Sequence, residues 1–207
     1  MKFDHLPIFD NISFSTREKE FVVIKGKNGA GKTCLLQSIA GIIPKYIYGE
    51  LTGNISYYDR ELYTSREKKA FYPQIFGYLM QEPDKQLCFP FIEEELFFGA
   101  ENLQRDYLSV KERYEGLCEL FPFLSPNSKT LETHKLSFGQ KKICLFASQI
   151  LKDPDIFLLD EPSVGLSSDL LSKMEKILYQ LQNAGKIVIF AEHQDYFDKF
   201  ASQIVRL

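Results

Sequence analysis

Gly26-Lys27-Asn28-Gly29-Ala30-Gly31-Lys32-Thr33 decides the reading of this chain. The eight residues fit G-x-x-x-x-G-K-[ST], the pattern of a phosphate-binding P-loop. The flanks agree with it. Phe21-Val22-Val23-Ile24 is an apolar run of strand length, and Leu35, Leu36, Ile39 and Ala40 follow at helical spacing until Gly41 stops them. Glycine reaches backbone conformations closed to other residues, so the N–H groups along Gly26, Asn28, Gly29 and Gly31 can turn inward around an anion. The helix that opens with Lys32, Thr33 and Cys34 adds free N–H groups and the positive end of its dipole. In this pattern Lys32 reaches the β- and γ-phosphates and the Thr33 hydroxyl holds Mg²⁺.

Working outward, Pro7-Ile8-Phe9 and Ile12-Ser13-Phe14 read as short strands, with Arg17-Glu18-Lys19-Glu20 as a hairpin turn into 21–24. Residues 44–49 form a loop and 51–58 are strand-like, so an antiparallel β layer is expected beside the site. Ile75-Phe76-Gly77-Tyr78-Leu79-Met80 is a further apolar run, ended by Gln81. Residues 82–135 then turn mostly helical, near 92–104 and 109–121, with a Pro-marked loop at 121–126. One helix is expected over 136–151, stopped before Asp153-Pro154. Ile156-Phe157-Leu158-Leu159 is a buried strand ending at Asp160-Glu161. An amphipathic helix through Leu170, Leu171, Met174, Ile177, Leu178 and Leu181 leads to a strand at 187–191, which ends at Glu192-His193.

Continuous apolar strands alternating with helices mean a parallel sheet covered on both faces. The fold class is α/β: a P-loop NTPase with a mostly parallel sheet flanked by helices, an antiparallel β subdomain and a helical insertion. Residues 1–207 are read as one domain, with a helical subdomain over about 82–150. Ligands of such sheets bind at the carboxyl ends of the strands. Four apolar runs end there in polar candidates, which predicts a single nucleotide site at one edge of the sheet.

Each candidate has a chemical role and a plainer alternative. Asp160 can ligate Mg²⁺ directly or through water. Glu161 is the candidate general base for an attacking water, unless Asp-Glu-Pro is merely a turn after a strand. Gln81 can orient that water or touch Mg²⁺; alone it would be a surface glutamine. His193 can hydrogen-bond the γ-phosphate, although a lone histidine at a strand end is often structural. Ser137 with Gln140 fits a capping box, which on spacing alone suffices. The functional alternative is a helix N-terminus, with Ser137, Gly139 and Gln140, offered to a phosphate held by another chain.

The totals narrow the classes. The chain has 207 residues, 44% hydrophobic and 26% charged, an ordinary globular composition. A net charge of −3 argues against a nucleic-acid partner, which needs a basic face. Cys34, Cys88, Cys118 and Cys144 make no C-x-x-C pair and read as small buried hydrophobes in a reducing compartment. No leader peptide or membrane-spanning apolar run is evident, so membrane association is expected through a partner.

The ordered set of P-loop, Gln81, helical insertion, Leu136-Ser137-Phe138-Gly139-Gln140, Leu158-Leu159-Asp160-Glu161-Pro162 and His193 resembles the ATP-binding cassette (ABC) ATPase family over nearly the whole chain. The resemblance implies ATP and Mg²⁺ as cofactors and a second cassette chain, identical or not, bound head to tail. Ser137, Gly139 and Gln140 of one chain would then face the γ-phosphate held by the other. It also implies a transmembrane transporter subunit as partner, and a place on the cytoplasmic face of the membrane. Gln81-Glu82-Pro83-Asp84-Lys85-Gln86-Leu87 and the stretch 93–103 resemble the energy-coupling factor (ECF) ATPases of vitamin and transition-metal importers, in which this region docks on a coupling subunit. Exporter cassettes and soluble ABC ATPases share the same motif order and are the alternatives. Glu93, Glu94 and Glu95 also read as a solvated acidic first turn, and Phe89, Phe91, Phe97 and Phe98 as core ahead of docking groove. The family often has glycine at Phe138, aspartate at Ser167 and arginine at Ile143 and Ser148; the departure at Ser167 points toward a paired, non-identical cassette. Phe3 aligns loosely with the adenine-stacking aromatic.

Overall fold

The computed structural model describes residues 1–3, 6–64, 72–125 and 131–207. An antiparallel pair, β1 (Lys2–Phe3) and β2 (Leu6–Pro7), precedes β3 (Phe21–Lys25), which leads through the P-loop into α1 (Lys32–Ile39). A second antiparallel pair follows, β4 (Asn54–Tyr57) with β5 (Arg60–Thr64), and then β6 (Phe76–Leu79). Three helices, α2 (Ile92–Asn102), α3 (Tyr107–Leu120) and α4 (Phe138–Lys152), come before β7 (Ile156–Asp160). The chain continues with α5 (Ser168–Asn183), β8 (Ile187–Ala191) and β9 (Gln203–Arg206).

Among the described residues five strands form one sheet in the order β6-β7-β8-β3-β9, every pair parallel. Alternate residues of its apolar strands feed two separate cores. Phe21, Val23, Phe157, Leu159, Val188 and Phe190 point into a core shared with α2, α3, α4 and α5. Val22, Ile24, Ile156, Leu158 and Ile189 point into the other, against Leu35 and Leu36 of α1 and Leu62 of β5. Both faces are covered, so the runs are apolar throughout instead of alternating.

Three expectations need correction. Residues 12–14 form no strand, and β3 is not the second arm of a hairpin: its partners are β8 and β9. Ile12 and Phe14 are apolar because they pack against the α1-side core, so their spacing reports burial and not pairing. The Arg17–Glu20 turn does exist, closed by the Glu20 N–H on the Arg17 carbonyl at 3.1 Å. The strand expected over 51–58 begins only after Gly53, whose φ of 106° breaks the extended run. Strand β9 escapes the sequence reading, because a short and mostly exposed edge strand carries no apolar run.

The helices start and stop for local reasons. Asp106 caps α3 by accepting from the Ser109 N–H at 2.9 Å, and Ser167 caps α5 through the Leu170 N–H at 3.3 Å. Ser167 thus has a local capping role, one that an aspartate would also fill. Ile143 is fully buried in the core around α4, and the buried Ser148 hydroxyl bonds back to the Leu145 carbonyl at 2.8 Å.

Candidate nucleotide site

The P-loop leaves β3 near the middle of the sheet and folds as the glycine spacing requires. Gly29 (φ 81°) and Gly31 (φ 94°) lie in the left-handed region, Gly31 as the N-cap of α1. The Ala30 N–H closes onto the Lys27 carbonyl at 3.0 Å. Lys32 is only 6% exposed, and its ammonium donates to the Gly26 carbonyl at 2.9 Å and the Lys27 carbonyl at 3.4 Å. The loop thus surrounds a buried cation, and Asn28, Thr33 and Cys34 continue around the same turn.

Asp160 ends β7, 1% exposed, with one carboxylate oxygen that meets no donor. Burial pushes its carboxyl up to about 6; a hydrogen bond from Thr33 pulls it down, the Glu161 charge adds to the rise, and the Lys32 and Lys142 ammoniums oppose it. An unsatisfied buried carboxylate beside a threonine hydroxyl is a hard oxygen donor set that suits Mg²⁺. Among the described residues no group of three or more His, Cys, Asp and Glu gathers into a metal centre.

Parallel register brings the ends of β6, β7 and β8 to the same edge. There the Gln81 side-chain N–H donates to a Glu161 carboxylate oxygen at 2.8 Å, and His193 Nδ1 stands 3.6 Å from the other oxygen. Glu161 adopts φ 46°, sparsely populated for a residue with a Cβ, and its N–H bonds the Ala191 carbonyl at 2.8 Å. Three predicted residues from three strand ends therefore meet, which sets a carboxylate, a side-chain amide and an imidazole side by side.

Ser137, Gly139 and Gln140 are elsewhere. Ser137 Oγ accepts from the Gln140 N–H at 3.3 Å, and Gln140 Oε1 accepts from the Ser137 N–H at 2.9 Å, a complete capping box at the start of α4. Gly139 is needed here for space: a Cβ would stand 2.9 Å from the Gly165 carbonyl oxygen. Phe138 lies over Gly165 so closely that a Cβ on Gly165 would come 2.3 Å from its ring. The large residue is thus accommodated by the loop after Glu161.

The carboxylate and aromatic readings around α2 change. Glu95 is buried, not solvated, and its carboxylate accepts the Cys88 and Phe89 N–H groups at 2.8 and 3.1 Å. Phe97 packs on Tyr114, but Phe91 and Phe98 are exposed, Phe98 by 52%. Helical spacing cannot separate a stripe that meets the core from one that meets solvent two residues away. Cys144 alone of the cysteines is buried; Cys88 is exposed.

Sequence reasoning also missed Lys142 and Glu192. Lys142 is a charge inside the apolar run of α4, and Glu192 follows a buried strand directly. Both are fully buried, and both contact the turn that carries Glu161.

A P-loop leaving an inner strand of a parallel sheet, an orphaned aspartate at the end of β7 two strands away and the Glu161 cluster beside it define a P-loop NTPase fold. Residues 9–164 match the model of the ABC transporter family, and the chain belongs to that family. The energy-coupling factor transporter ATP-binding protein EcfA of Carboxydothermus hydrogenoformans is 31% identical to it, over 96% of this chain and 70% of its own length. The putative HMP/thiamine import ATP-binding protein YkoD of Bacillus subtilis is 29% identical, over 98% of this chain but 36% of its own. The chain spans about a third of the length of the first curated relatives it matches. A dimeric ATP-binding cassette solved with ADP and Pi shares the fold with a TM-score of 0.77, at 20% identity and covering 97% of this chain and 86% of that one.

Proposed function

We propose that this chain is the ATP-hydrolysing subunit of an ABC membrane importer of the energy-coupling type, one that takes up a vitamin or transition-metal ion. The observation that carries the reading is the Gln81–Glu161–His193 cluster at the strand edge that holds the P-loop and Asp160. The P-loop N–H groups and Lys32 hold the phosphates of ATP, Lys32 exchanging its loop carbonyls for phosphate oxygens. Thr33, Asp160 and Gln81 are the residues that would hold Mg²⁺, which when bound supplies charge neutralisation at the transferring phosphoryl group. Glu161 takes the proton of the attacking water, Gln81 orients its carboxylate, and His193 donates toward the γ-phosphate.

In the chain's own capping box each side chain accepts from the other residue's backbone N–H, and its contacts run to the Gly165 loop and, through Lys141, to Asp84 at 2.6 Å. Ser137, Gly139 and Gln140 serve instead a site completed by a second cassette chain, bound head to tail with Mg-ATP between. No helix among the described residues is long and apolar enough to cross a membrane. The membrane is reached through a transmembrane subunit, which places the chain on the cytoplasmic face. An open groove of about 750 Å³ between α2 and α3, lined by Phe97, Ala100, Val110, Tyr114 and Cys118 with a charged rim, is where helices of that subunit would dock. The energy-coupling assignment is supported by the 81–103 sequence and by the EcfA relative.

A tagged pull-down from mildly solubilised native membranes tests this. Recovery of a multi-spanning subunit, with or without a second cassette, supports the importer reading, and its identity names the cargo class. Recovery of ribosomes, nucleic acid or soluble protein alone overturns transport and leaves the ATPase chemistry standing.

A further inference from the structure

Two buried charges have no part in the mechanism above. Lys142 on α4 and Glu192 after β8 are each 0% exposed. Both hold residues 161–165. The Lys142 ammonium donates to the Glu161 carbonyl at 2.8 Å and the Val164 carbonyl at 2.9 Å. One Glu192 oxygen accepts from the Ser163 hydroxyl at 2.6 Å and its N–H at 3.4 Å; the other accepts the N–H groups of His193 at 3.0 Å and Gln194 at 3.3 Å. Phe138, one helical turn before Lys142, presents its ring 5.3 Å from that ammonium and also covers Gly165. Burial draws Lys142 down to about 8, and the Glu192 charge leads the groups that hold it up.

An apolar pair of similar volume would often build a core at least as stable, so stability alone does not account for these charges. What they provide is fixed donors and acceptors on a strained segment. Glu161 sits at a positive φ, a conformation that persists only where its surroundings over-determine it. We propose that Lys142 and Glu192 are positioning residues that tie the 161–165 turn to α4 on one side and to the His193 loop on the other, so that the placement of Glu161 and His193 follows that of the Ser137–Gln140 turn. A signal arriving at the start of α4, from the partner's phosphate, thereby reaches the hydrolytic carboxylate of the same chain. The inference rests on the reading of Glu161 as base.

Single-turnover hydrolysis and ATP affinity, measured on the full chain, test it. Lys142→Met keeps most of the apolar stem and removes the donors; Glu192→Gln keeps the shape and removes one acceptor. Each is expected to lower the hydrolysis rate by about 10²-fold, the scale of a misplaced reacting group, with ATP affinity held within about twofold. Lys142→Arg is expected to recover part of the rate. The Lys142→Met loss is expected to vanish in a Glu161→Gln background, because the effect passes through that carboxylate. An unchanged rate in both variants, or an equal loss in the Glu161→Gln background, overturns the proposal. If Lys142→Met does not fold, Glu192→Gln decides alone, against a Glu161→Gln background in which its loss should disappear. Wild-type hydrolysis by Glu161→Gln by itself overturns the base assignment, a result read separately from either variant.

Discussion

Asp160 holds a carboxylate where water cannot reach it, and its folded-state pKa of about 6 lies above the ordinary 3.8. The raised value means that the protonated form is favoured by folding. That contribution is present below pH 3.8 and is lost as pH rises through 6, so ionised Asp160 weakens the nucleotide-free protein at neutral pH. Asp160→Asn is therefore expected to stabilise the Mg²⁺- and ATP-free chain by about 2 kcal/mol at pH 7.5. The gain should shrink as pH falls below 6, as calorimetric scans at the two pH values would record; a gain independent of pH contradicts the buried-charge account. Gly165 is governed by sterics instead. At φ 78° with the Phe138 ring against it, Gly165→Ala should cost about 1–3 kcal/mol. Adding Phe138→Ala should recover much of that in urea titrations, and absence of recovery would show that the backbone angle alone sets the cost.

Among the elements, α4 depends on what happens at both its ends. Ser137→Ala removes the cap and should lower stability by about 1 kcal/mol. If the turn also serves a partner's phosphate, the same change should reduce ATP-driven dimerisation by more than tenfold, an excess that a purely structural cap would not show. The other end closes on Asp153, at φ 54°, where Arg113 and Lys186 both bond its carboxylate, at 2.7 and 2.8 Å. The Arg105 guanidinium also donates to the Lys152 and Asp153 carbonyls at 2.8 and 3.0 Å. These pairs are part-exposed and individually worth little. Asp153→Ala should nevertheless cost about 2 kcal/mol, since it adds left-handed strain to two lost pairs. Asp153→Gly should cost less than half of that, because glycine removes the strain. Equal losses in denaturant titration would assign the whole effect to the ion pairs.

For the whole molecule, one chain holds the P-loop and the Glu161 cluster but keeps its Ser137–Gln140 turn bonded to itself. Two chains are required to complete a site of the proposed kind. Glu161→Gln with Mg-ATP should therefore shift the 24.0 kDa chain to about twice its mass in light scattering, and EDTA should reverse the shift. A homodimer appears with this chain alone, whereas a strictly paired cassette stays monomeric until its partner is added. A chain that remains monomeric with ATP beside every candidate cassette partner contradicts the head-to-tail reading.

The sequence alone determined whatever is encoded by local spacing. The glycines of 26–33, the apolar strands that run into Gln81, Asp160 and His193, and the Ser137–Gln140 box are each legible, because their physics is settled within a few residues. Parallel pairing then follows from apolar runs too long and too uniform to face water on either side. Relations between distant segments come only from the folded chain. The strand order places β3 between β8 and β9, although nothing in residues 203–206 announces a strand. Whether Phe91 and Phe98 meet core or solvent depends on which side α3 and α4 approach. Lys142 and Glu192 read as ordinary charges, since the desolvation that gives them meaning comes from residues far away in the chain. Burial and electrostatic coupling are properties of the packed whole, and local spacing carries no information about them until the chain has folded.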